Sequence, residues 1–138
     1  MSASSVSSSR QTFRKSERLC SKKIIQDLAL NGKNIRIHPF RLLWLATVLN
    51  EKVQIQAAFV VPKRNFRNAV DRNRIKRKMR EGYRKNKSLI YPLISQMKKQ
   101  YALLIVYSGK EIVTYLETVE KLKIALHRFV EDIQKNSN

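Results

Sequence analysis

The apolar side chains of this chain fall into two rhythms, one of period two and one of helical period, and the changes between them mark the elements. In residues 16–30 the apolar positions are Leu19, Ile24, Ile25, Leu28 and, more weakly, Ala29. The spacing among 24, 25 and 28 predicts a short amphipathic helix capped by Ser21. Asn31-Gly32 reads as its end, since both residues tolerate the left-handed conformation common at helix termini. Residues 40–48 then alternate, with Phe40, Leu42, Trp44 and Ala46 on one face and Arg41, Leu43, Leu45 and Thr47 on the other, as in a strand. A second strand is predicted over 53–61, with Ile55, Ala57, Phe59 and Val61 sharing a face and Pro62 ending its hydrogen-bonding ladder. The polar joint Asn50-Glu51-Lys52 predicts that these two strands form an antiparallel hairpin, and a short strand near 35–37 precedes them.

Helical spacing returns at Ile75, Met79 and Tyr83, a narrow apolar stripe at i, i+4 and i+8. Asn68 is placed to cap this central helix, and Asp71 lies near the positive end of its dipole. The helix is predicted to fade near Lys87, with Pro92 breaking regular structure and residues 93–100 forming a short apolar-lined turn. Residues 101–107 are a nearly continuous apolar run, as in a strand covered on both faces. Thr114 and Glu117 then form a T-x-x-E capping box ahead of Tyr115, Val119, Leu122, Leu126, Phe129, Val130 and Ile133, one stripe of a docking helix. The predicted order is α-β-β-β-α-β-α, a single sheet with helices packed on it in the α+β class. Residues 1–12 read as a disordered Ser-rich tail, and 13–138 as one domain.

Charge changes the picture more than composition does. The 138 residues carry a net charge of +19, and it is uneven: residues 1–110 hold 25 basic and 5 acidic residues, whereas 111–138 hold 4 and 5. From Lys63 to Lys87 there are 12 Lys or Arg against Asp71 and Glu81. On the central helix Arg72, Lys76, Arg80 and Arg84 make one basic row, and Arg74, Lys78 and Lys85 another. A solvated face ordinarily mixes signs, and so much like charge disfavours the compact state unless an anion neighbours it. The expected partner is a polyanion, and nucleic acid in particular.

Catalytic constellations are missing from the sequence. Glu17, Asp27, Glu51, Asp71 and Glu81 are scattered, and the other five acids lie in the last segment. His38 and His127 are far apart, three glycines give no phosphate loop, and the single cysteine, Cys20, provides neither a disulfide nor a zinc site. One cysteine suits a reducing compartment; no apolar run reaches the length of a membrane span, and the Ser-rich start lacks the apolar core of a secretory signal. The reading is a binder without an active site of its own. Arginine forks grip phosphate bidentately, and Asn73, between Arg72 and Arg74, offers a donor and an acceptor for a 2′-OH or base edge. Phe40, Trp44 and Phe59 admit two readings, core or a stacking floor for unpaired bases, with Trp44 the stronger candidate for exposure.

Lys63-Arg64 followed by Asn-Ala-Val-Asp-Arg-Asn-Arg-Ile-Lys-Arg-Lys-Met-Arg-Glu at 68–81 resembles the signature of the bacterial ribonuclease P protein component. Phe13-Arg-Lys-Ser-Glu-Arg-Leu, Asn31-Gly32 and Pro39-Phe40 extend the resemblance, which runs from Phe13 to the last helix. It implies a small basic protein that joins a catalytic RNA, one protein per RNA, in a cytoplasmic enzyme removing the 5′ leader of precursor tRNA by phosphodiester hydrolysis. The active site and its Mg²⁺ are then expected in the RNA. RNA-contacting residues are expected at Lys63, Arg64, Arg67, Arg72, Asn73, Arg74, Lys76, Arg77, Arg80 and Arg84. A cleft between the first helix and the sheet is expected to take the leader, with Phe40, Trp44, Ile25 and Leu28 as its lining. The resemblance also implies a left-handed β-α-β crossover, against the general right-handed rule. Two departures stand out: many members have aromatic residues on the first helix where this chain has Ile24, Ile25, Leu28 and Ala29, and a small polar residue where it has Pro62.

Two other functions fit the same charge. A structural RNA binder of the ribosomal-protein kind shares the basic surface and the lack of catalytic groups, but no precursor-tRNA cleavage depends on it. A sequence-specific DNA binder calls for a helix-turn-helix pair, which Pro62 and the long gap before the central helix argue against.

Overall fold

A computed structural model describes residues 13–136, so the tail assigned to 1–12 lies outside the described residues. The elements are α1 (Lys22–Asn31), β1 (Lys33–Ile37), β2 (Phe40–Ala46), β3 (Ile55–Val60), α2 (Ala69–Ile94), β4 (Tyr101–Tyr107) and α3 (Tyr115–Asn136). Short 3₁₀ turns at Lys15–Glu17 and Ser95–Met97 flank them. This is the expected α+β order. Ser21 caps α1, its hydroxyl accepting the Ile24 N–H at 3.3 Å. The end of α1 differs from expectation: Gly32 is extended (φ −68°, ψ 147°) rather than left-handed. A side chain is disfavoured there because its Cβ would sit 2.5 Å from the Leu28 carbonyl oxygen.

The strands form one mixed sheet in the order β1-β2-β4-β3, which corrects the predicted hairpin. β2 and β3 are not neighbours, because β4 lies between them, antiparallel to β2 and parallel to β3. The most continuously apolar strand thus takes a central place, covered on both faces. The polar joint spans the start of β4 instead of making a tight turn. The Gln100 side chain accepts the Leu49 N–H (2.9 Å) and donates to the carbonyls of Glu51 (2.8 Å) and Val53 (2.7 Å). The hairpin in this sheet is β1–β2, joined through a cis His38–Pro39 bond.

Alternation along the strands separates two apolar layers. Ile35, Leu42, Trp44, Ile55, Ala57, Leu103 and Ile105 face α2 and α3, where Ile75, Met79, Tyr83, Leu122, Leu126 and Phe129 complete the larger core. Leu43, Ala102 and Leu104 face the other way, with Leu19 and Leu28 packed against them. The predicted stripe of α3 is buried at Leu122, Leu126, Phe129, Val130 and Ile133, and Thr114 Oγ1 accepts the Glu117 N–H at 3.1 Å. Gly82 lets α2 approach α3, since a Cβ there would meet Leu122 Cδ1 at 2.9 Å.

The central helix is longer than predicted, running to Ile94 through Pro92. Proline removes one i→i−4 bond, to the carbonyl of Ser88. Ser88 and Pro92 are both on the exposed side, so that carbonyl faces water, while Ile90 and Ile94 are buried and hold the last turns to the core.

Candidate nucleic-acid interface

The basic surface starts where β3 ends. Pro62 stops the ladder, and its carbonyl accepts the N–H groups of Asn65 (3.2 Å) and Phe66 (3.3 Å), folding residues 62–66 into a turn. Phe66 turns into the core and stacks edge-on against Tyr107, leaving Lys63, Arg64 and Arg67 exposed. Asn68 then caps α2 as predicted, Oδ1 accepting the Val70 N–H at 2.9 Å. The stripe Ile75, Met79 and Tyr83 is buried, and burial holds the Tyr83 phenol well above its ordinary pKa. That pinning fixes which side of the helix faces outward.

The cations predicted on α2 separate into two sets. Arg74, Arg77 and Arg80 are exposed, as is the uncharged Asn73, and Lys76 is half-buried beside them. Lys85 is exposed as well, whereas Arg72, Lys78 and Arg84 are bonded within the fold. Arg72 Nη1 donates to the carbonyls of Phe66 and Arg67, both at 2.8 Å, which ties the basic turn to the start of the helix. Lys78 Nζ donates to the Val113 carbonyl at 3.1 Å. Arg84 donates to Glu81 through Nη2 at 2.8 Å and Nε at 3.3 Å. That hydrogen bond leads in holding the Glu81 carboxyl below its usual pKa.

One functional group of α2 was not legible as such. Lys87 is buried and grips Glu17 at 2.6 and 2.9 Å. The same carboxylate accepts Tyr91 OH at 2.9 Å and the Arg14 N–H at 2.7 Å. Glu17 is therefore turned inward, while Arg14, Lys15, Arg18, Lys22 and Lys23 around it are exposed. No local signal joins two residues 70 positions apart.

The predicted cleft lining is not brought together. Leu28 (0% exposed) and half-buried Ile25 sit on the α1 side of the sheet. Phe40 and Trp44, 1% and 4% exposed, lie on the opposite face in the larger core. Phe40 packs edge-on with Tyr107, and Trp44 with Tyr101 and Phe129. Of the two readings open for Phe40, Trp44 and Phe59, the core one holds: even positions of β2 face α2 and α3, and Phe59 packs edge-on against Tyr83. On the α1 side the odd positions Arg41, Leu43 and Leu45 appear, with Val106 on β4. On this side one row crosses all four strands in register: Arg36, Arg41, Val106, Val60. Val60 is 38% exposed and leads through Pro62 to Lys63.

Among the described residues no three His, Cys, Asp or Glu side chains gather into a metal-holding group, and no helix is long and apolar enough to cross a membrane.

The sequence profile of the family described as Ribonuclease P matches residues 13–130. This chain belongs to the ribonuclease P protein family. Two similar proteins, each called ribonuclease P protein component, come from Chlorobium phaeobacteroides and Porphyromonas gingivalis. The first is 35% identical over 88 residues, 62% of this chain and 60% of the relative. The second is 32% identical over 107 residues, 78% of this chain and 77% of the relative. The fold resembles the RNase P protein of Thermotoga maritima, with a TM-score of 0.64 and 26% identity over 81% of this chain and 96% of that one. It also resembles the Staphylococcus aureus RNase P protein, with a TM-score of 0.61 and 20% identity over 80% and 93%.

Proposed function

We propose that this chain is the protein subunit of a ribonuclease P ribonucleoprotein, which binds the catalytic RNA and the 5′ leader of precursor tRNA so that the leader is removed. The observation that carries the reading is the outward set on α2: Asn73, Arg74, Arg77 and Arg80, continuous with Lys63, Arg64 and Arg67, on a helix held by a buried stripe. These donors suit phosphate and 2′-OH groups on the surface of a folded RNA. The α1 side of the sheet is the proposed course of the leader, lined by half-buried Ile25, Leu45 and Val106 rather than by Phe40 and Trp44.

The reaction is endonucleolytic phosphodiester hydrolysis, with Mg²⁺ held by the RNA subunit. No chemical step is assigned to this chain. It contributes by neutralising RNA phosphates and positioning substrate, which lowers the Mg²⁺ concentration the RNA needs. The setting is cytoplasmic, with one protein per RNA.

The deciding experiment is precursor-tRNA cleavage by a bacterial ribonuclease P RNA at low Mg²⁺, with and without this protein. Restored cleavage at the mature 5′ end, with no activity from the protein alone, is the expected outcome. Binding of the RNA that leaves cleavage unchanged at every Mg²⁺ concentration would mean a purely structural RNA binder.

A further inference from the structure

We infer that Arg36 and Arg41 form a phosphate-binding pocket that grips the backbone of a single RNA strand at the open end of the sheet. The inference rests on the RNA-binding reading above and names the groups by which the α1 side of the sheet holds its strand. The two arginines are register partners on adjacent antiparallel strands, on the side of the sheet away from α2 and α3. Like charges directly opposite one another destabilise a strand pair. An anion between the two forks turns that repulsion into two charge-assisted contacts.

Three further observations converge on the same point. Arg36, His38, Phe40, Arg41 and Ser108 surround a concavity of about 370 Å³. Arg41 is half-buried, and its Nε is shielded from water without a hydrogen-bond partner among the described residues. A buried donor left unpaired is costly, and a phosphate oxygen is an acceptor of the right charge. Third, the row that begins at Arg36 and Arg41 continues across Val106 to the exposed Val60 and on to Lys63 and Arg64. An apolar strip with cations at both ends suits a single strand, whose sugars and bases cover the valines while its phosphates meet the arginines. Aliphatic residues give bases no aromatic ring to stack on, so backbone contacts carry the affinity. Binding is therefore tolerant of sequence and strongly salt-dependent.

The test uses the full chain, a fluorescent single-stranded RNA oligonucleotide and inorganic phosphate as a competitor. Arg36 is exposed, so Arg36→Gln is expected to fold and to bind the oligonucleotide about tenfold more weakly, with a salt slope smaller by roughly 0.7. Arg36→Glu places a carboxylate opposite Arg41. It is expected to weaken binding further while the melting temperature holds or rises, whereas a purely structural Arg36 would lower it. Unchanged oligonucleotide affinity in Arg36→Glu overturns the proposal. If inorganic phosphate displaces the RNA as effectively as a second oligonucleotide does, the pocket takes a free anion and the strand reading is overturned. Running the cleavage assay in parallel separates the two readings. Wild-type protein that supports cleavage while Arg36→Glu keeps full oligonucleotide affinity refutes the pocket alone. Loss of oligonucleotide binding in Arg36→Glu, with no support of cleavage by the wild type, refutes the subunit reading and leaves the pocket standing.

Discussion

The two ends of α2 use the same residue types for opposite purposes. Over its first three turns Arg74, Arg77 and Arg80 project into solvent. Five turns in, Lys87 is enclosed and bound to Glu17 and lies over the Tyr91 ring at 5.3 Å. Arg72, Lys78 and Arg84 fall between these extremes, each donating to a carbonyl or a carboxylate of the fold. The difference teaches that a count of basic residues overstates a binding face. What counts is charge left after the fold has used its share, and which cations are used depends on chain segments distant in sequence.

The largest expected effect breaks the comparison at its buried end. Lys87→Ala leaves the Glu17 carboxylate enclosed without its charge partner, and should cost about 3–5 kcal/mol of stability. Urea unfolding checks this, and the variant that remains folded should keep its RNA affinity. A loss of RNA affinity in the folded fraction would mean that the two ends of the helix are not separable.

At the exposed end, Arg74→Ala combined with Arg77→Ala should leave the urea midpoint within about 0.5 kcal/mol of wild type. RNA affinity should fall at least tenfold, with a salt slope reduced by roughly 1–2. A large fall in melting temperature with unchanged affinity would show these arginines to be structural.

Arg72 should sit between the two ends. Removing its bonds to the Phe66 and Arg67 carbonyls should cost about 1–3 kcal/mol and release the turn that presents Lys63, Arg64 and Arg67. Its effect on RNA affinity should then be less than additive with Arg67→Ala and additive with Arg77→Ala, as a double-mutant cycle would show.

The smallest effect concerns Glu81 and Arg84, a half-exposed pair at the surface. Because Arg84 holds the folded-state pKa of Glu81 below its usual value, the contribution is present above the unfolded carboxyl pKa and fades as pH falls through the folded one. Arg84→Ala should change stability at neutral pH by no more than about 0.5 kcal/mol. It should also remove the part of the acid-side decline that Glu81 causes, seen by comparing melting curves of the two proteins down to low pH.

The sequence by itself determined the local elements and the class of partner. Alternation at 40–46, the capping residues Ser21, Asn68 and Thr114, and the Ile75–Met79–Tyr83 stripe depend on neighbours within a turn or two, and each is found as read. The sign of the partner was likewise legible, because net charge adds up regardless of fold. Tertiary structure decided what depends on which distant segments meet. β4 entered between β2 and β3 and replaced the expected hairpin. Packing of Ile90 and Ile94 carried α2 past Pro92. The choice of core face for β2 put Trp44 inside and Arg41 outside, since a strand's period fixes two faces but not which of them is covered. Glu17 met Lys87, 70 positions away, only when the segments between them folded. Local propensity is encoded within a few residues, but the fate of each charge is set by the partner the folded chain brings to it.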